Sequence, residues 1–213
     1  MNKTIFIWIG VFGVTFAALF FLIRAQTKPP VEKAGNPEIS VIRAQDWVFG
    51  NQDSGVVLVE YGDFQCPGCG QYEPIVRKVR EDFKDKMVLV YRHFMFTQKH
   101  ANAEPAAWAA EAAGKQGKFW EMHDLIFEKQ KEWEASKDGA KIFEGYAQTL
   151  GLDLEQFKSD VASDDVRSRA KDSMATGQRF GVNATPTFFL NGKRIQPQNY
   201  DEFKTLIETT AVR

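Results

Sequence analysis

The sequence predicts an α/β domain with a parallel strand–helix–strand unit, a helical insertion and a closing pair of strands. A β-branched apolar run at residues 56–59 is followed by an amphipathic helical pattern and a second apolar run at residues 87–94. Residues 97–180 then show repeated helical periodicity and no strand-like run, and a strand pattern returns at residues 187–190. A crossover of this length between the first two strands predicts a right-handed parallel unit.

The amino-terminal segment is strongly apolar. Across residues 5–23, Thr15 is the only clearly polar residue, and a run of this length spans a bilayer. The positions around Ala25 lack a small-x-small cleavage pattern, so residues 1–24 are predicted to be a transmembrane signal anchor that is not removed. Basic residues flank both ends of the run and therefore do not decide its orientation.

A proline-containing and weakly apolar segment follows, and residues 25–46 are predicted to be an extended tether to a domain at residues 47–213. The whole chain has 27 Lys+Arg and 28 Asp+Glu, a formal net charge of −1, and no basic stripe. This balance argues against nucleic-acid binding and against a polybasic patch for anionic lipid.

The remaining elements of the domain have local signals. Residues 47–55 are predicted to be a lead-in that ends in a turn before the first strand. The first helix contains Pro74, which is expected to kink it. Asn191 and Gly192 are the preferred pair for a tight hairpin turn, and apolar residues at helical spacing from Tyr200 onward predict a closing helix.

The two cysteines of the chain, Cys66 and Cys69, fall where the first strand gives way to a helix. A thiolate at a helix N-terminus is stabilised by unpaired backbone N–H groups and by the positive end of the helix dipole. Cys66 is therefore the predicted nucleophile, and Cys69, one turn on, is the predicted resolving thiol. Pro67 suits the first helical turn, and Gly68 leaves the approach to sulfur open.

Two cysteines at this spacing also ligate metals, so the pattern alone leaves a second interpretation open. Structural zinc is poorly supported because the three histidines, His93, His100 and His123, form no metal-ligand pair. A copper site formed by the two cysteines and one histidine stays an alternative, and with it a copper-binding or copper-delivery module.

Four motifs together identify a family. The segment VEYGDFQCPGC, followed by YRHF, GKFWEMHDLIF and GVNATPTFFLNG, is similar to membrane-anchored members of the DsbA-like thiol:disulfide oxidoreductase family, within the thioredoxin superfamily. The resemblance covers residues 47–213 and implies a thioredoxin-like fold with its helical insertion at residues 97–180. It also implies a redox-active disulfide between Cys66 and Cys69.

Further site residues follow from this resemblance. Thr185 and Pro186 correspond to the cis-proline loop, whose extended backbone pairs with a substrate chain. Glu60 stands at the offset from Cys66 where superfamily members carry an acid. At the end of an apolar run it is either a glutamate that points to solvent or a buried acid, and the resemblance favours a buried acid whose raised pKa lets it shuttle a proton to or from Cys69.

The implied function is oxidation of cysteine pairs in exported proteins, outside the cytoplasm, where a disulfide persists. The resemblance implies no bound cofactor, and a quinone-linked membrane protein as reoxidant. Gly68 provides no side chain to stabilise the thiolate, so a reductase or isomerase on the same fold stays an alternative.

Overall fold

The computed structural model describes residues 35–211. The anchor predicted at residues 1–24 and the first part of the predicted tether lie outside the described residues. Within residues 35–211, no helix combines the length and the apolar character that crossing a membrane requires.

A mixed five-stranded sheet, with strand order β1-β3-β2-β4-β5, is the centre of the domain. Only β2 and β3 are parallel to each other, with Val57 opposite Val88, whereas the other neighbouring pairs are antiparallel. The strands are β1 (Trp47–Gly50), β2 (Val57–Gly62), β3 (Val88–His93), β4 (Thr187–Leu190) and β5 (Lys193–Ile195). The predicted parallel unit is therefore present.

Helices cover both faces of the sheet and form the insertion. The helix α1 continues through Pro74, and six further helices lie between β3 and β4 in the described chain. The helices are α1 (Pro67–Phe83), α2 (Ala103–Lys115), α3 (Phe119–Glu128), α4 (Gln130–Trp133), α5 (Gly139–Thr149), α6 (Leu154–Ala162), α7 (Asp164–Arg179) and α8 (Tyr200–Ala211). This arrangement is the thioredoxin-like fold with a helical insertion that the sequence predicts.

The two central strands bury side chains on both faces, which explains their continuous apolar runs. On one face, Leu58 of β2 lies in a cluster with Val76 of α1 and Phe203 of α8. On the other face, Val59 clusters with residues that include Met174 of α7. The strand β3 is buried along its whole length.

The hydrophobic core of the insertion continues to the dithiol. Cys69 belongs to the same cluster as Phe64, Tyr91 of β3 and Trp133 of the insertion, and Cys66 packs against that cluster. The insertion therefore covers one side of the two sulfur atoms.

The predicted lead-in at residues 47–55 is wrong in its first part, because Trp47–Gly50 is a strand. It pairs antiparallel with β3, with Trp47 opposite Tyr91, and the indole N–H of Trp120 donates to the carbonyl of Val48 at 2.8 Å. Four residues are too few to show a clear alternation, and their partner strand is some forty residues further along the chain.

The last part of the predicted tether is also wrong, since residues 36–46 pack onto the sheet. Pro37–Ser40 forms a 3-10 helix whose Ile39 is buried. The guanidinium of Arg92 donates to the carbonyl groups of Ile39 and Val41, each at 2.8 Å, and to the carboxylate of Asp46. Hydrogen bonds from the buried Arg92 of β3 therefore hold this polar segment against the domain.

Candidate active site

The dithiol lies at the N-terminus of α1, directly beyond the carboxyl end of β2. Cys66 is the N-cap residue with an extended backbone, and Pro67 occupies the first helical position. Cys66 is partly exposed, whereas Cys69 is fully buried, and both are free thiols in the structure. The N–H of Asp63 donates to the Sγ atom of Cys69 at 3.4 Å. Solvent and other proteins therefore reach Cys66 first.

The two thiols have opposite pKa shifts. A hydrogen bond from the Cys69 thiol lowers the pKa of Cys66 to about 5 against the opposing effect of burial. The side chain of Thr185 and the N–H groups of Cys69 and Gly68 contribute to the same lowering of this pKa. Burial raises the pKa of Cys69 well above its ordinary value. At neutral pH the reduced site therefore holds a Cys66 thiolate beside a Cys69 thiol.

The loop before β4 lies opposite the dithiol. The Thr185–Pro186 peptide bond is cis, and the Sγ atom of Cys66 lies 3.4 Å from the carbonyl oxygen of Thr185. A Cβ atom on Gly68 would lie 3.5 Å from both the Thr185 oxygen and the Pro186 ring, an ordinary contact distance. Gly68 thus leaves space between the dithiol and this loop and does not relieve a clash.

Glu60 is buried in β2, with only 2% of its surface exposed, and its Oε2 atom has no hydrogen-bond partner. Burial raises its pKa well above that of an ordinary glutamate, and the nearby Glu73 raises it further, while Arg80 opposes the shift. A negative charge on Glu60 contributes to the raised pKa of Cys69. The acid and the buried thiol are therefore electrostatically coupled.

Sequence reasoning missed Asp63, which orders the loop between β2 and Cys66. Its buried carboxylate is 2.7 Å from the Nδ1 atom of His100 and accepts hydrogen bonds from the N–H groups of Gln65 and Phe96 at 2.8 and 2.9 Å. The only available signal was an acid just before the dithiol. Its histidine partner lies 37 residues away, with no pattern that connects the two.

The insertion also holds the active-site loop through side-chain amides that sequence reasoning missed. The buried Gln130 donates to the carbonyl groups of Phe64 and Cys66 at 2.7 and 3.0 Å. Gln65 donates to the carbonyl of Glu134 at 2.6 Å and accepts from the N–H of Asn102, also at 2.6 Å. The position of the Cys66 backbone therefore depends on the insertion.

The copper interpretation requires a histidine close to the two cysteines, and the structure places none there within residues 35–211. Across residues 35–211, neither a histidine nor a carboxylate joins the two sulfur atoms in a group of three candidate ligands. Glu73, His123 and Asp124 do lie within 4.8 Å of one another, but Arg80 and Arg77 both form ion pairs with Asp124. This cluster is therefore already charge-compensated by protein cations.

A stabilised thiolate at a helix N-terminus, a buried second thiol and a facing cis-proline loop together define a thiol:disulfide oxidoreductase. A family model described as Thioredoxin matches residues 43–209. The chain accordingly belongs to the thioredoxin family.

Solved structures of DsbA-like proteins resemble this chain closely. BdbD from Bacillus subtilis is 28% identical, with a TM-score of 0.71 over 79% of this chain and 94% of BdbD. Alpha-DsbA1 from Wolbachia pipientis shares the fold at 16% identity, with a TM-score of 0.74 over 83% of this chain and 96% of that one. MdbA, a thiol-disulfide oxidoreductase from Corynebacterium diphtheriae, shares it at 21% identity and a TM-score of 0.64, over 86% and 96% of the two chains.

Curated relatives are similar over part of their length. Na(+)/H(+) antiporter NhaA 1 of Salinispora arenicola is 43% identical over 150 residues, which are 70% of this chain and 22% of the antiporter. Its namesake from Mycobacterium sp. (strain KMS) is 37% identical over 188 residues, 87% of this chain and 30% of that protein. The chain thus spans less than a third of the length of these relatives.

Proposed function

We propose that this protein oxidises cysteine pairs in exported proteins by dithiol–disulfide exchange. The observation that supports this direction is the pKa of about 5 at Cys66. A thiol that is strongly acidic in the folded protein stabilises the reduced form, and a stabilised reduced form makes the disulfide a stronger oxidant. The hydrogen bond from Cys69 is the main cause of this acidity, so the missing side chain at Gly68 does not prevent it.

In the proposed reaction, the oxidised enzyme carries a Cys66–Cys69 disulfide. A substrate thiolate attacks the exposed Sγ atom of Cys66, a new sulfur–sulfur bond forms, and Cys69 leaves as a thiolate that takes up a proton. The second substrate thiolate then attacks the substrate sulfur of this mixed disulfide and releases the Cys66 thiolate. The substrate gains a disulfide, and the enzyme accepts two electrons.

Glu60 and the cis-proline loop have separate roles in this proposal. The protonated form of Glu60 supplies the proton that Cys69 takes up when it leaves, and burial, which raises the pKa of this acid, favours that form. The backbone of Thr185 and Pro186 pairs transiently with an extended substrate segment, which places the substrate sulfur at Cys66.

The proposed location is the extracytoplasmic side of the cytoplasmic membrane, with the chain held there by a helix at residues 1–24. The apolar run of this segment supports the anchor. A disulfide persists in an oxidising compartment, which supports the extracytoplasmic side. The reduced enzyme then needs an oxidant, and family analogy supports a quinone-linked membrane protein.

The redox potential of the dithiol separates the oxidase from its alternatives. Equilibration of the full chain with glutathione buffers is expected to give a midpoint toward about −120 mV, the range of strong protein oxidants. A midpoint toward about −270 mV would instead make the protein a reductase that needs an electron donor. Failure to form a reversible disulfide, together with stoichiometric Cu(I) binding, would support the metal-binding alternative.

Glu60→Gln is expected to stabilise the protein increasingly as the pH rises above about 4.3, the ordinary glutamate value. Because the folded-state pKa of Glu60 is raised, the folded protein retains a proton that the unfolded chain releases, and stability is lost as pH rises toward that pKa. Glutamine removes this loss, about 1.4 kcal/mol for each pH unit between the two pKa values. Urea unfolding from pH 4 to 8 measures the difference.

The same variant also tests the proton shuttle. Release of Cys69 from the disulfide should slow by about a hundredfold, the lower end of the range for general acid–base catalysis, and lose its dependence on the Glu60 ionisation. Glu208→Gln, at an exposed position of α8, serves as the matched control. Stability and rate profiles that run parallel to those of the unaltered protein would argue against both assignments.

A further inference from the structure

The peptide group between Gly62 and Asp63 directs a hydrogen-bond donor at the buried sulfur of the dithiol. Its N–H donates to the Sγ atom of Cys69 at 3.4 Å, and its carbonyl accepts from the N–H of Phe94 at 2.7 Å. A trans peptide directs its N–H and its carbonyl to opposite sides, so the bond to Phe94 also fixes the direction of the N–H. The donor is therefore held from the side of β3.

The side chain of Asp63 holds the same residue at a second point. One carboxylate oxygen lies 2.7 Å from the Nδ1 atom of His100 and accepts from the N–H of Phe96 at 2.9 Å, and the other accepts from the N–H of Gln65 at 2.8 Å. The backbone N–H of His100 donates in turn to the carbonyl of Phe96 at 2.9 Å. Two of the three partners of the carboxylate are backbone groups, and His100 is the side chain among them.

A donor at this sulfur matters for the exchange chemistry. Cys69 is fully buried, so water does not stabilise a charge that forms on its sulfur, and groups fixed in the protein must do so. Burial, the neighbouring Cys66 and Glu60 raise the pKa of Cys69, whereas the N–H of Asp63 lowers it. The N–H of Asp63 thus favours the thiolate form of the sulfur.

We propose that the N–H of Asp63 stabilises the charge that develops on Cys69 when the disulfide opens, and that His100 is the positioning residue for this donor. A thiolate attacks the Sγ atom of Cys66, a new sulfur–sulfur bond forms, and the Cys66–Cys69 bond breaks. The electron pair of that bond stays on Cys69 until a proton arrives. This inference rests on the exchange chemistry of the proposed function and not on its direction, because Cys69 carries the same charge when it leaves and when it attacks.

Two variants of His100 test the positioning role. His100→Leu removes the side-chain donor, whereas His100→Asn keeps an amide N–H near the place of Nδ1. The oxidised full chain is mixed with excess reduced glutathione, and acid quenching with mass spectrometry measures how fast the disulfide opens. His100→Leu should slow this step by about tenfold or more, less than the roughly hundredfold to thousandfold cost of removing an oxyanion-hole donor, because the N–H is displaced and not removed. His100→Asn should recover most of the rate.

The matched control is Gln98→Leu, an exposed position two residues earlier in the same segment, which should leave the rate unchanged. A second measurement separates positioning from general loosening of the domain. Hydrogen exchange of the Asp63 amide should be about tenfold faster in His100→Leu, while the amides of β2 stay protected and the Cys66 thiolate titrates as in the unaltered protein.

The possible outcomes are distinguishable. Equal losses of rate in His100→Leu and His100→Asn would overturn the positioning role. An unprotected Asp63 amide in the unaltered protein would overturn the hydrogen bond itself, and that result needs no variant to fold. Absence of thiol exchange in the unaltered protein would overturn the proposed function and this inference together, whereas normal exchange with an unchanged rate in His100→Leu would overturn this inference alone.

Discussion

Cys66→Ser is expected to reduce thiol–disulfide exchange to the uncatalysed rate, a loss of several orders of magnitude typical of a removed nucleophile. Cys66 is the partly exposed thiol with a pKa of about 5, whereas the remaining Cys69 is fully buried with a raised pKa. The variant therefore retains no accessible thiolate at neutral pH. The exchange rate with a cysteine-containing peptide measures the loss.

Replacement of Cys69 is expected to have a different result. Cys66 still attacks a disulfide in Cys69→Ala, but nothing resolves the product, so a stable mixed disulfide accumulates and is detected by mass spectrometry. Because the Cys69 hydrogen bond is the largest cause of the low pKa of Cys66, that pKa should rise in Cys69→Ala. Cys69→Ser retains a donor and should raise it less.

These two variants distinguish the roles of the thiols. An adduct that accumulates in Cys66→Ser and not in Cys69→Ala would reverse the assignment. Thiolate absorbance as a function of pH supplies a second readout, and equal Cys66 titrations in Cys69→Ala and Cys69→Ser would show that the hydrogen bond does not control the acidity.

Arg92→Met is expected to destabilise the fold by roughly 3–5 kcal/mol, the range for removal of one partner of a buried ion pair. Arg92 is fully buried, and its Nε and Nη2 atoms donate to the two carboxylate oxygens of Asp46 at 2.9 and 2.6 Å. Burial opposes its charge, but the bonds to Asp46 outweigh that effect and raise the pKa of Arg92. Urea or thermal unfolding measures the loss.

The double variant of Asp46 and Arg92 tests whether the two charges stabilise each other. Asp46→Asn combined with Arg92→Met removes both charges, so the double variant should be less destabilised than the sum of the two single variants. Arg179→Ala is the control, since its 3.6 Å ion pair with Glu38 is exposed and is worth about 1 kcal/mol or less. Additive effects of the two single variants would mean that the buried pair is not coupled.

Several features of this protein were predictable because their signals are local. The strand before Cys66, the helix that begins at Pro67 and the hairpin turn at Asn191 each depend on a few adjacent residues. A thiolate at a helix N-terminus is likewise a local arrangement. The helical insertion was predictable from its repeated spacing of apolar residues.

Other features depend on partners that lie far away in the chain. The strand at Trp47–Gly50 was not recognisable from its four residues, because it is stabilised by pairing with β3. From its sequence alone, the 3-10 helix that follows Asn36 has the composition of a tether. In the structure it is ordered because Arg92 donates a hydrogen bond to the carbonyl of Ile39. In both cases the stabilising group belongs to another part of the sheet. The residues next to each segment in the sequence therefore do not indicate that it is ordered.

The sequence by itself determined the place of the dithiol at a helix N-terminus, and from this order of strand, dithiol and helix it predicts that Cys66 is the nucleophile. Only the tertiary structure decided how reactive that thiol is. Its acidity depends on the buried Cys69 and on Thr185, which comes from a loop 119 residues along the chain. The amide of Gln130 fixes its backbone from the insertion. Hydrogen bonding and burial act through space, so chain neighbours do not reveal them.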